Sequence, residues 1–213
     1  LWDSIPSMRN LGQTLLDFRV DGNVIPNVTA DSLQDFQALN YLSMTGCKMI
    51  SINLPHLPAL TQLDLSRNAI TTWPDFTNTP NLTELTIAYN KLTSIPLSQF
   101  LGLPLQTLRL HGNLITPNNV DDVCNPNLQH LKLGANPFKT FPNWTQVGCS
   151  LTQLDLDWTG LTYFEDSHLD SFPLVVNLDI AHGGITEFPI LHRNGPRLQW
   201  LRISDHKISR LEA

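Results

Sequence analysis

Hydrophobic residues recur along this chain in a fixed phrase. From Leu60 it runs LTQLDLSRNAI and from Leu82 LTELTIAYNKL, with aliphatics at positions one, four, six and eleven and asparagine at nine. The phrase starts at Leu15, Leu39, Leu60, Leu82, Leu105, Leu128, Leu151, Val175 and Leu198, at intervals of 21 to 24 residues. Positions four and six give the pairs Leu63/Leu65, Leu85/Ile87, Leu108/Leu110, Leu131/Leu133, Leu154/Leu156, Leu178/Ile180 and Leu201/Ile203. Alternation with period two places both members of each pair on one face of a short strand and their neighbours on the other. A single turn cannot bury its own leucines, so the pattern predicts a stack in which each turn covers the next.

Position nine holds Asn23, Cys47, Asn68, Asn90, Asn113 and Asn136, then Thr159, Gly183 and His206. An asparagine amide inside the turn after each strand satisfies backbone groups that would otherwise be buried unpaired. This ladder is regular through six turns and breaks in the last three. Position fourteen is apolar again at Trp73, Ile95, Phe141, Phe164, Phe188 and Leu211, with proline next at Pro74, Pro96, Pro142 and Pro189. The pairs Leu33/Phe36, Phe100/Leu103 and Leu169/Phe172 predict a second column packing the back of the stack. Turn five is the least regular, since residues 116–127 lack the apolar-proline pair.

The sustained repeat argues for one elongated domain over residues 1–213, with a partial repeat at 1–14 in which Trp2, Ile5 and Pro6 fit positions eleven, fourteen and fifteen. The sequence opens at Leu1 without a secretory leader, as expected either of a mature chain or of an excised piece. No capping turn is visible at either end, so the chain is expected to form part of a longer ectodomain. No apolar run reaches the 18 or so residues that cross a bilayer, so membrane attachment is expected only through an anchor outside this window. The formal charge of −6, with Lys and Arg scattered, argues against a nucleic-acid surface, which needs a basic stripe.

Turns of LxxLxLxxNxLxxLP type at this spacing resemble the extracellular leucine-rich-repeat family, which includes Toll-like receptor ectodomains, Slit-type guidance proteins, matrix proteoglycans and variable lymphocyte receptors. The resemblance implies an α/β-type leucine-rich-repeat solenoid: a curved horseshoe with a parallel β-sheet on its concave face and a mostly irregular or short-helix convex side. It also implies a non-catalytic binding arc, holding a protein, lipid, glycan or nucleic acid on the concave sheet or along one flank. The family's usual cysteine-rich end caps are missing.

Cys47 sits on the asparagine ladder, where a small thiol packs as inert core. Cys124 and Cys149 fall at positions twenty and twenty-two of adjacent turns. Neighbouring turns lie about 5 Å apart, within reach of a disulfide; two free thiols in a reducing compartment is the alternative. Three glycosylation sequons begin at Asn27, Asn81 and Asn143, none on a predicted strand, so glycans there leave the concave face open. Together these favour an extracellular or cell-surface location.

Positions two, three, five, seven and eight are expected to point out of the concave sheet. They gather a basic cluster of Arg109, His111, His130 and Lys132, and an acidic one of Asp155, Asp157 and Asp179. Tyr89, Trp158, His182, Trp200 and Arg202 stand beside them. Trp, Tyr and Arg most often anchor interfaces, so these residues are the candidate ligand-binding surface. Alternatively, opposite charges on adjacent strands merely pair, as Lys132 with Asp155 and Asp179 with Arg202. His111, His130 and Asp157 superficially suggest a metal or acid-base site, but an open strand surface lacks the enclosed pocket such chemistry needs. No catalytic residue, metal or cofactor is expected. The leading reading is therefore a recognition ectodomain of innate-immune or adhesion type, with a protein or glycan partner and homo-oligomerisation open. A structural, self-associating matrix protein and an intracellular scaffold are the alternatives.

Overall fold

A computed structural model describes residues 3–5 and 11–209. Trp2, Pro6 and Leu211, assigned above to repeat positions, lie outside the described residues. Nine strands appear where the phrase places them, always at positions three to five: β1 (Asp17–Arg19), β3 (Tyr41–Ser43), β5 (Gln62–Asp64), β6 (Glu84–Thr86), β7 (Thr107–Arg109), β8 (His130–Lys132), β9 (Gln153–Asp155), β10 (Asn177–Asp179) and β11 (Trp200–Arg202). They form one sheet in the order β1-β3-β5-β6-β7-β8-β9-β10-β11. Two shorter strands, β2 (Asn27–Val28) and β4 (Ser51–Ile52), pair separately. One helical turn, α1 (Ala30–Leu33), and five 3-10 turns are the only helices among the described residues. None is long and apolar enough to cross a membrane.

The chain divides into two compact units, residues 1–92 with 102–108, and residues 93–101 with 109–213. In the first, β1, β3, β5 and β6 pair in parallel with no register slip, Leu42 beside Leu63 and Leu63 beside Leu85. In the second, β8 to β11 do the same through Leu131, Leu154, Leu178 and Leu201. A one-residue slip would turn every leucine to solvent, so burial on one face fixes the register. The leucines at positions one, four and six are buried from Leu39 through Ile180. Leu201 and Ile203 are only half-buried, because no further described coil covers their outer side.

The chain leaves each strand through a left-handed residue at position eight. Gly22, Gly46 and Gly112 take φ values of 68 to 72°, and Arg67, Tyr89, Ala135, Trp158, His182 and Asp205 take 53 to 58°. Glycine reaches this region without penalty; the other six are held there by the stack. The N–H of Ala135 donates to Asp157 and that of Trp158 to Ala181, so the parallel ladder continues to position eight.

Position nine then closes the turn. The Asn68 amide donates to the carbonyls of Met44 and Leu65 and accepts from the Met49 N–H. Asn136 repeats this with Leu110, Leu133 and Ile115. Cys47 is a free, buried thiol whose sulfur points at the Val20 carbonyl, the same ladder position, 3.2 Å away. Burial pushes this thiol up, so it behaves as core. Thr159 reaches only its own coil, at Leu156, and Gly183 offers no side chain. At His206 the ladder resumes: Nδ1 accepts from Ile185 N–H at 3.2 Å and Nε2 donates to the Ile180 carbonyl at 2.7 Å. The imidazole spans the same two backbone groups as an asparagine amide. A Cβ on Gly183 would lie 2.6 Å from the His206 ring and from the Leu161 carbonyl, so the glycine makes room for the ring.

The back columns form as expected, with Leu33/Phe36, Phe100/Leu103 and Leu169/Phe172 buried. Phe141 and Phe164 join them, Phe141 packing on Phe164 at 5.2 Å and edge-on to Phe172 at 5.7 Å. Phe188 departs, lying 38% exposed instead of inside. The irregular turn five is secured by other means. Cys124 and Cys149 form a disulfide, with Cα atoms 5.7 Å apart. The Trp144 indole donates to the Pro117 carbonyl, and Asp122 accepts from the N–H groups of Thr145, Gln146 and Val147 and from the Thr145 hydroxyl. Burial alone would raise the Asp122 pKa, but these donors outweigh it and hold the carboxylate below its usual range.

Candidate functional site

The second unit brings most of the candidate residues into two rows across β8 to β11. Position five gives Lys132, Asp155, Asp179 and Arg202 side by side, and position three gives His130, Gln153, Asn177 and Trp200. Arg109 ends β7, with His111 two residues on. Position eight is a left-handed turn residue just past the strand, so Trp158 and His182 belong to the turns that follow β9 and β10 and not to the strands. Glycine at three of the nine position-eight residues was the sequence signal for that conformation. Tyr89 is the same kind of turn residue in the first unit, where the Arg67 guanidinium lies over its ring at 5.0 Å. Asn27 also differs from expectation, since it lies on strand β2, away from the nine-stranded sheet. Asn27, Asn81 and Asn143 are all exposed.

The acidic cluster is real and tight. Asp155, Asp157 and Asp179 each place a carboxylate oxygen within 4.8 Å of the others, and they form the group among the described residues with the spacing to share a cation. Two members also have backbone roles: Asp155 accepts from the Asp157 N–H and Asp179 from the Ala181 N–H. Asp179 is buried and pairs with Arg202 at 3.3 Å, so the pairing alternative holds at that end of the row. It does not neutralise Asp155. Burial pushes that carboxyl up to about 6, the charge of Asp157 adding to it, while the Asp157 N–H and the charge of Lys132 oppose it. The crowding extends to the neighbouring coil: a Cβ on Gly134 would meet the Asp157 carboxylate at 1.8 Å.

Beside the acidic row, Trp158 stacks on His182, ring centroids 4.2 Å apart and 10° from parallel. His182 Nε2 lies 3.0 Å from Asp205, a partner that sequence reading did not single out. Trp158 is 62% exposed and Trp200 47%. From Trp158 a shallow depression of about 770 Å³ runs along the flank, walled by Leu114, Ala135, Pro137, Lys139 and Thr162. Such an open, rigid surface, with indole rings at the edge of a charged row, suits recognition of a shaped partner.

Comparison with known proteins gives the same fold. The sequence profile described as leucine rich repeat matches residues 58–115. Chicken (Gallus gallus) Lumican is 31% identical over 117 residues, spanning 50% of this chain and 34% of Lumican. Tsukushi from the same species is 30% identical over 172 residues, spanning 75% of this chain and 44% of Tsukushi. The chain thus spans about a third to under half the length of these relatives. Among solved structures, that of the TLR13-ssRNA13 complex superposes with a TM-score of 0.66 at 19% identity, covering 91% of this chain and 33% of that one. At that identity the likeness shows the fold alone.

Proposed function

The chain is a leucine-rich-repeat protein that resembles the extracellular members of the family, and from that premise we propose that it is a non-catalytic binding segment of a cell-surface or secreted recognition protein, of innate-immune or adhesion type. Its ligand is a protein or glycan, bound through Arg109, Lys132, Asp155, Trp158, Trp200 and their neighbours. The observation that carries this reading is the pair of exposed indoles, Trp158 and Trp200, flanking a charged row in which Asp155 stays incompletely neutralised. Leaving such groups in water is costly unless a partner covers them. The surface is preformed by packed coils, so little ordering entropy is lost on association.

The Cys124–Cys149 disulfide and three exposed sequons support an extracellular or cell-surface setting. In this proposal residues 1–213 act as one solenoid domain. Protein or glycan is placed ahead of nucleic acid because the chain carries a net charge of −6.

The test is a binding screen of the chain against arrayed ectodomains, glycans and single-stranded RNA, with each hit re-measured on the Trp158→Ala/Arg109→Ala variant. A loss of at least tenfold supports the proposal. Unchanged affinity for every hit removes it, and a preference for RNA overturns the ligand class.

A further inference from the structure

On the back of turns seven and eight, away from the strands, lies a second site of different chemistry. A recess of about 440 Å³ opens there, and its walls include the rings of Tyr163, Phe164 and Phe188. Glu165, Asp166 and Glu187 line the same recess, against one cation, Arg193. The Arg193 guanidinium is already engaged, 3.1 Å from Asp170 and 3.8 Å from Asp166. No salt bridge to Glu165 or Glu187 occurs among the described residues.

Tyr163 and Phe188 are exposed, although Phe188 occupies a position that is buried in turns four, six and seven as Ile95, Phe141 and Phe164. The Tyr163 hydroxyl donates to Glu165, which also accepts from Ser167 and sits at the start of the short 3-10 turn Asp166–Leu169. This fixes one carboxylate against the edge of an aromatic ring. The hydrogen bond to Glu165, with the charges of Glu165 and Glu187 adding to it, pushes the Tyr163 hydroxyl up, as expected in a negative field.

We propose that this recess binds the arginine side chain of a basic partner protein. Aromatic faces attract a cation through their quadrupole, and most strongly a flat guanidinium that can stack. A carboxylate at the ring edge then accepts from the same guanidinium in a charge-assisted pair. An apolar side chain would use the rings but strand the carboxylates, and a second copy of this chain, at net charge −6, is a poor source of cations. The site is distinct from the strand-face surface: none of its aromatic or charged residues belongs to that surface, and Thr162 alone lines both depressions.

The test uses the full chain, labelled with nitrogen-15, titrated with N-acetyl-arginine amide and, separately, N-acetyl-norleucine amide. Arginine amide is expected to give saturable shifts of the backbone amides in 163–167 and 185–188, with millimolar affinity, at least fivefold tighter than norleucine amide. Glu187→Gln and Tyr163→Ala, both at exposed positions, should each weaken it threefold or more, while Trp158→Ala/Arg109→Ala leaves it unchanged. Equal response to norleucine amide, no saturable response, or no effect of Glu187→Gln and Tyr163→Ala would each overturn the proposal.

Discussion

Replacing Asp155 with asparagine should make the protein more stable at neutral pH, an unusual outcome for a side chain in the middle of a sheet. The folded structure pushes this carboxyl up to about 6 from an ordinary value of 3.8. A raised acid contributes its full stability while protonated, below the unfolded value, and loses it as pH rises through the folded one. The window therefore runs from about pH 4 to about pH 6. A shift of roughly two units corresponds to at most about 3 kcal/mol at pH 7 and above. Side-chain and solvent relaxation reduce this, so about 1–3 kcal/mol is expected, or roughly 2–10 °C in melting temperature for a chain of this size. Asparagine keeps the acceptor for the Asp157 N–H at 3.1 Å and removes only the charge. Thermal and urea unfolding of Asp155→Asn and the parent, at pH 8 and pH 3.5, measure the difference. The variant should be more stable at pH 8 and equal to the parent at pH 3.5. A less stable variant at pH 8, or a difference independent of pH, would show that Asp155 is neutralised in the fold and carries no spare charge.

Four further outcomes follow from the packing. Reducing the Cys124–Cys149 disulfide, which closes a loop with a sequence separation of 25, should cost roughly 3.5 kcal/mol on the chain-entropy account, read from the urea midpoint under reducing and oxidising conditions. Cys47, buried and pushed up by burial, should resist a thiol reagent in native buffer and react only after unfolding; rapid native labelling would contradict its ladder role. His206→Asn should keep stability within about 1 kcal/mol, whereas His206→Leu, leaving the Ile180 carbonyl and Ile185 N–H unmet, should lose about 1–3 kcal/mol. Gly183→Asn restores the ladder letter yet should destabilise, because its Cβ has no room beside His206; a stabilised variant would refute that packing.

The repeat phrase located all nine strands, because burying alternate leucines leaves one register for each coil. The disulfide was legible for a related reason, since adjacent coils bring positions twenty and twenty-two together. The left-handed turn at position eight was not, because hydrophobic patterning carries no record of φ; the scattered glycines were the available signal. That miss matters for the site, since it moves Trp158 and His182 from the strands into the turns that follow them. The ladder role of His206 was also hidden, for it depends on an imidazole spanning an amide's two contacts and on Gly183 in the preceding coil. The recess by Tyr163 and Phe188 was invisible for a third reason. Phe188 sits at a position that is interior in turns four, six and seven, and only the structure shows the back of the coil opening there.

On the proposed function, the strand face from β7 to β11 and the turns that follow those strands receive the ligand. The most direct test is hydrogen–deuterium exchange on the chain alone and saturated with its tightest hit from the ectodomain and glycan screen. Protection confined to 107–112, 130–135, 153–160, 177–183 and 200–206 is the expected result. Protection confined to the back of the coils, with the strand segments exchanging as in the free chain, would contradict it.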